Sequence, residues 1–145
     1  MMSDFRRLSS SVLASPQIST DDIDAAKKMG VTLIINNRPD GEAPDQPEGA
    51  LIEQAARAAG LDYLAIPIGQ AGFGKEQIAA MADAFVQADG TILAYCRSGT
   101  RSTFLWSLAQ ASQGQDPAEI SQAAADAGYD VSPIRPMLDA FSGES

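Results

Sequence analysis

The chain has 145 residues, 45% apolar and 20% charged, which is the length and balance of one soluble globular domain spanning 1–145. Its formal charge of −9 works against nucleic acid and anionic membranes as partners, since both reward clustered Lys and Arg. The absence of histidine removes Ser-His and Cys-His dyads and every His-ligated metal site, and a single cysteine removes any intrachain disulfide.

The first residues, Met1 to Leu8, hold no apolar stretch of signal-peptide type. No later run approaches the ~18 apolar residues of a membrane helix. Cytoplasm is therefore the expected compartment. Two short apolar alternations, around Arg7–Leu8 and Val12–Ala14, predict edge strands. Ser19-Thr-Asp-Asp is a helix start with acids in its first turn, and Gly30 is its stop; Ile23, Ala26 and Met29 form the apolar face between them. Val31–Asn36 is a β-branched apolar run, the pattern of a buried parallel strand. From Asn37 to Gly49 follows a polar loop with three prolines, long enough to suit a functional segment.

Glu48 to Ala59 predicts a helix stopped at Gly60, and Leu61–Ile66 a strand ended by Pro67. After the loop Gly69 to Gly74 comes a helix whose Ile78, Met81, Ala82, Phe85 and Val86 are spaced as one core-facing stripe. Asp89-Gly90 ends it, and Thr91–Tyr95 reads as the central strand. Phe104, Leu105 and Leu108 anchor the next helix, and Trp106 is expected in the core. Asp116-Pro117 caps a helix running to Ala127 and stopped at Gly128. Ser132-Pro133 opens a last short helix, whose first turn Pro136 keeps from being regular. This alternation predicts an α/β fold of three layers, a mainly parallel central sheet with helices on both faces. Ligands in such sheets bind beyond the carboxyl ends of the strands, here Asn36 to Asp40, Ile68 to Gln70 and Cys96 to Ser102.

The chemistry concentrates in Cys96-Arg-Ser-Gly-Thr-Arg101-Ser102, between the central strand and its helix. Backbone N–H groups in so tight a loop converge with the unpaired N–H groups of the helix start, forming an anion cradle with a thiol at its floor. Helix N-termini and neighbouring cations favour the thiolate, so Cys96 is predicted as a nucleophile. Arg101 offers a planar fork to two oxygens of a tetrahedral oxyanion. Gly99 is free to take positive φ. Ser102 is placed to donate to the sulfur, and Arg97, Ser98 and Thr100 line the rim as further binding residues. The substrate expected is a small anion or a phosphorylated side chain. No cofactor or metal is called for.

The loop resembles two kinds of enzyme. Cysteine-dependent phosphatases carry Cys, five residues, then Arg; rhodanese-type sulfurtransferases carry Cys, four residues, then Arg, the spacing found here. Val31 to Gly41, Leu61 to Pro67 and Ala94 to Ser102 together resemble the beta-lactamase-hydrolase-like protein, phosphatase-like domain family, over roughly Phe5 to Phe141. That resemblance implies a protein-tyrosine-phosphatase-like scaffold. It also implies a general acid, an aspartate some thirty residues before the Cys, yet Ile66-Pro-Ile-Gly-Gln-Ala-Gly72 holds no acid, and Tyr95 stands where phosphatases have His. Asp40, at the same sheet edge, is the substitute, against its reading as a turn residue before Gly41. Arg38 either binds an anion or pairs with an acid. Three readings follow: a phosphatase-like hydrolase working through phosphocysteine, a sulfurtransferase carrying a persulfide on Cys96, and a non-catalytic anion-binding module.

Overall fold

A computed structural model of the chain describes residues 3–143. The apolar runs become five strands: β1 (Arg6–Arg7), β2 (Val12–Ser15), β3 (Val31–Asn36), β4 (Asp62–Ala65) and β5 (Thr91–Tyr95). They form one sheet in the order β1-β2-β5-β3-β4. β1 runs antiparallel to β2, and every other pairing is parallel. The helices are α1 (Thr20–Lys28), α2 (Gly49–Ala58), α3 (Lys75–Gln87), α4 (Thr100–Ser112), α5 (Pro117–Asp126) and, after a 3-10 turn at Ser132–Ile134, α6 (Arg135–Gly143).

The period-2 alternation of strand side chains divides the interior into two layers. Leu13, Ile34, Leu93 and Tyr95 face one side, where α1 brings Ile23 and Ala26 and α2 brings Ile52 and Ala56. Val12, Ala14, Ile35, Ile92 and Ala94 face the other, covered by α3 and α4, with α5 and α6 packed on α4. Trp106 lies in this second layer, 1% exposed, as expected. The predicted three-layer arrangement is therefore the observed one, with helices on both faces of a mainly parallel sheet.

Four local expectations change. Val12–Ala14, expected at an edge, lies in the internal strand β2, which is hydrogen-bonded to β1 on one side and β5 on the other; of these two only β1 is an edge strand. The Glu48 helix begins one residue later, because Glu48 is extended (φ −67°, ψ 144°) and serves as its cap. Met29 and Val86 are not core: they are 45% and 70% exposed. Met29 caps the end of α1. On α3 the burial of Ala84 shows that the stripe is centred on Met81 and Phe85, which turns Val86 roughly a quarter turn or more away from the sheet.

In-register parallel pairing brings the strand ends to one edge. Ser15 pairs with Tyr95, Asn36 with Tyr95, and Asn36 with Ala65. The backbone then knits the exits together: Cys96 N–H donates to Ser15 O at 3.3 Å, Asn37 N–H to Tyr95 O at 2.8 Å, and Ile66 N–H to Asn36 O at 2.9 Å. Among the described residues no helix is long and apolar enough to cross a membrane.

Candidate active site

Cys96 is the first residue beyond β5 and is wholly buried. Its Sγ accepts the N–H of Gly99 at 3.1 Å. Gly99 is the N-cap of α4 at φ 92°, a left-handed conformation in which a Cβ would be strained. There is no room for one either, because it would collide with the Tyr129 hydroxyl and lie 2.9 Å from Tyr129 Cζ. The N-cap residue Gly99 offers no side chain, and the first turn of α4 holds no acid. The Thr100 N–H donates to Ser98 Oγ at 3.4 Å, and the N–H groups of Arg101 and Ser102 that follow face the start of the helix, where an anion is favoured. The loop is tied down from below, where Gln17 N–H donates to Arg97 O at 3.2 Å.

Arg101 is held by more than the loop. Its Nη1 donates to Ile68 O at 2.9 Å and to Glu42 Oε2 at 2.7 Å, and its Nη2 donates to Glu42 Oε1 at 2.9 Å. Of the five N–H donors a guanidinium carries, these bonds use three. These bonds do not use the Nε–H or the second Nη2–H, a parallel pair on one edge, and Arg101 interacts with the Cys96 side chain by charge and hydrogen bonding, which puts the sulfur close by. Arg101 is thus clamped from behind by Glu42 with a two-donor edge left over.

Glu42 is itself braced. Arg38, 5% exposed, donates from Nε to Glu42 Oε1 at 2.9 Å and from Nη1 to Gln17 Oε1 at 3.0 Å, so of its two expected roles it takes that of partner to an acid. The hydrogen bond from Arg101 is the main reason the Glu42 carboxyl is lowered to about 2; burial opposes it and Arg38 adds to it. Arg101 is raised in turn, first by its hydrogen bond to Glu42. This arrangement makes stability pH-dependent. Glu42 stays ionised in the native state where the unfolded chain would take up a proton near 4.5, so its contribution is complete above about 4.5 and is lost as pH falls through about 2. Glu42→Gln is expected to cost ~1–3 kcal/mol at pH 7 and to flatten the acid limb of stability. Denaturant unfolding from pH 2 to 7 measures both; an unchanged acid limb would mean the pairing is not made in solution.

The other expected residues fall as follows. Ser98 Oγ donates to Thr100 Oγ1 at 3.0 Å on the exposed lip of the loop, and Arg97 is exposed beside it. Ser102 does not reach the sulfur as expected: its hydroxyl donates to Asn37 Oδ1 at 2.8 Å, and Asn37 Nδ2 donates to Ile66 O at 2.9 Å. With its one proton spent on Asn37, and fully buried, Ser102 braces the loop from beneath. Asp40 lies at the expected edge, but its carboxylate is engaged by a helix start. Its Oδ1 accepts the first N–H of α2, from Gly49, at 2.8 Å. Asp40 lines two clefts, one of about 230 Å³ with Asn36, Glu53 and Tyr63 and one of about 570 Å³ with Gly41 and Glu48, and neither includes a residue from Cys96 to Ser102. An unsatisfied helix start attracts a nearby carboxylate, and here it has taken Asp40. Glu42 and Tyr129 were not legible as site residues, and Asn37 was legible only as part of the edge from Asn36 to Asp40. The four-residue spacing of Arg38 and Glu42 was the one hint, and it lies in a loop where helical spacing carries no weight.

The sequence profile of the beta-lactamase hydrolase-like protein, phosphatase-like domain matches residues 4–113. The beta-lactamase hydrolase-like protein of Xylella fastidiosa (strain Temecula1) is 37% identical over 101 residues, which are 70% of this chain and 23% of that protein. This chain thus spans about a quarter of the length of the curated relatives it matches. A candidate phosphatase from Neisseria meningitidis Z2491 is similar in crystal structure, with TM-score 0.85 and 32% identity over 97% of this chain and 99% of that one. Tk-PTP in its active form shares the fold at TM-score 0.73 and 16% identity, covering 100% of both chains. The scaffold is that of the protein-tyrosine-phosphatase-like enzymes, and the match over most of the chain decides its membership: it belongs to the beta-lactamase hydrolase-like protein, phosphatase-like domain family.

Proposed function

We propose that this chain is a cysteine-dependent hydrolase of phosphomonoesters. The observation that supports it most is the pairing of Cys96 Sγ, on the Gly99 N–H at 3.1 Å, with an Arg101 whose position Glu42 fixes and which interacts with the Cys96 side chain. In this reading the Cys96 thiolate attacks phosphorus, the phosphorus–oxygen ester bond breaks, and the alcohol departs as its oxyanion. Loop amides and Arg101 hold the equatorial oxygens. Water then attacks the phosphocysteine, releasing phosphate and restoring the thiolate. Arg97, Ser98 and Thr100 form the lip on which the rest of an anionic substrate rests.

With the Asp40 carboxylate bonded to the start of α2 and no acid between Ile66 and Gly72, the leaving oxygen is protonated by solvent. Hydrolysis is therefore expected to fall steeply as the leaving group becomes more basic, so that aryl phosphates far outrun alkyl phosphates. Asp40→Asn leaves that slope unchanged in this account. A selective loss of poor leaving groups in Asp40→Asn would restore Asp40 as the proton donor.

A second reading has one specific feature in its favour, the four residues between Cys96 and Arg101, which is rhodanese spacing. There the thiolate takes the outer sulfur of thiosulfate, forming a persulfide and releasing sulfite, and passes that sulfur to cyanide or a thiol. Assaying aryl phosphate hydrolysis and thiosulfate sulfur transfer on wild type and Cys96→Ser separates the two. Phosphate release lost in Cys96→Ser supports the hydrolase; sulfur transfer alone supports the second reading; neither activity leaves an anion-binding module.

A further inference from the structure

We propose that the Tyr129 hydroxyl is a positioning group for the nucleophile, holding one peptide plane so that its N–H stays aimed at Cys96. The inference rests on the reading of Cys96 as the nucleophile. Ser98 C=O and Gly99 N–H belong to a single peptide unit, and among the described residues no peptide bond is cis. In a trans peptide the carbonyl and the N–H point in opposite directions. Here both ends are occupied: Tyr129 Oη donates to Ser98 O at 3.2 Å, and Gly99 N–H donates to Cys96 Sγ at 3.1 Å. The phenol and the sulfur are thus the two ends of one rigid lever.

The lever needs a lock because of what lies beside it. Gly99 populates positive and negative φ about equally, so the 98–99 peptide can turn over at little steric cost. Turning it would point a carbonyl oxygen at the sulfur in place of an N–H. That would exchange a stabilising dipole for a repulsive one at the moment a thiolate forms. The hydroxyl bond to Ser98 O opposes that rotation. Tyr129 is packed closely against Gly99 and is 8% exposed. Burial raises the Tyr129 phenol above its ordinary range, with Arg6 opposing, so it remains a donor across the pH range of thiol chemistry. Tyr129 itself is set by the far end of the chain: the Arg6 guanidinium on β1 lies 5.2 Å from its ring centroid, with Asp4 paired to Arg6 at 3.2 Å. The groups facing Cys96 are accordingly Arg101 from α4 and Tyr129 from the segment after α5, with Glu42 and Arg38 behind Arg101.

The test is the pH–rate profile of Cys96 alkylation by iodoacetamide, followed by mass spectrometry on wild type, Tyr129→Phe and Arg6→Met, each checked for fold by circular dichroism. Tyr129→Phe keeps the ring and loses only the hydroxyl. Its profile is expected to move to higher pH by roughly 0.5–1 pH unit, the size of one neutral hydrogen bond. Arg6→Met loosens the same ring from its other face but keeps the hydroxyl, and its profile is expected to overlay wild type. Equal movement in both variants would make the effect one of packing and overturn the proposal. A wild-type profile below that of a free thiol, with Tyr129→Phe unmoved, would overturn it while sparing the nucleophile. A wild-type profile matching a free thiol would remove both together.

Discussion

Arg101→Lys is expected to lower kcat/KM for an aryl phosphate by about 10²–10³-fold, the cost of losing a principal oxyanion donor. The arginine serves three acceptors at once. It satisfies Ile68 O, takes both oxygens of Glu42, and still has two parallel donors that these bonds do not use. A lysine ammonium has three donors on a single point and no fork. Placed here it would stay with Glu42 and the Ile68 carbonyl, leaving the oxyanion without its clamp. The loss is expected chiefly in kcat, because the donor edge matters most once charge spreads over the equatorial oxygens. Thermal unfolding should show a smaller effect, since the charge at Glu42 is kept. A kcat/KM within tenfold of wild type would show that Arg101 serves the loop's structure and not the transition state.

Gly99→Ala should be the most disruptive single-methyl change in the site. Two independent costs meet there. The backbone sits at φ 92°, where a non-glycine residue loses about 1–3 kcal/mol. The new Cβ would also collide with the Tyr129 hydroxyl and press on Ser15 C at 3.3 Å, an overpacking cost of another ~1–3 kcal/mol. Together they predict a loss of about 2–6 kcal/mol, or roughly 6–18 °C in Tm for a chain of this size. The two parts can be separated. Adding Tyr129→Ala to Gly99→Ala removes the collision but not the φ strain, so the double variant should be less damaged than the sum of the singles. Additive losses would mean that the loop relaxes away from Tyr129 and that the close approach carries no energy.

The parts of this architecture that follow from local chemistry were legible in the residues. Val31–Asn36 and Thr91–Tyr95 announce themselves as buried parallel strands by their unbroken apolar runs. Cys96 to Ser102 announces itself by putting a thiol, a glycine and an arginine where a strand becomes a helix. Parallel strands in register then bring Asn37 and Cys96 to one edge without further information. What stayed hidden depends on how loops return in space. Glu42 sits in the proline-bearing segment after Arg38, and nothing in its neighbours tells that its carboxylate reaches Arg101, 59 residues later. Tyr129 follows α5 and looks like an ordinary aromatic after a glycine stop, yet it is packed on the loop 31 residues upstream of it. Asp40 and Ser102 were legible as polar groups at the right edge but not in their roles. A helix start in need of an acceptor and a buried amide in need of a donor claimed them first. Val86 shows the same limit within a helix, where periodicity gives a stripe but not which of its residues lies at the centre of the buried face.

The most direct test is to quench the reaction with an aryl phosphate during turnover and to determine the mass of the peptide that carries Cys96. The account predicts a phosphoryl group on that sulfur, formed in wild type and absent when Cys96 is replaced by serine. Phosphate released at full rate with Cys96 unmodified at every time point, or undiminished in Cys96→Ser, would contradict it.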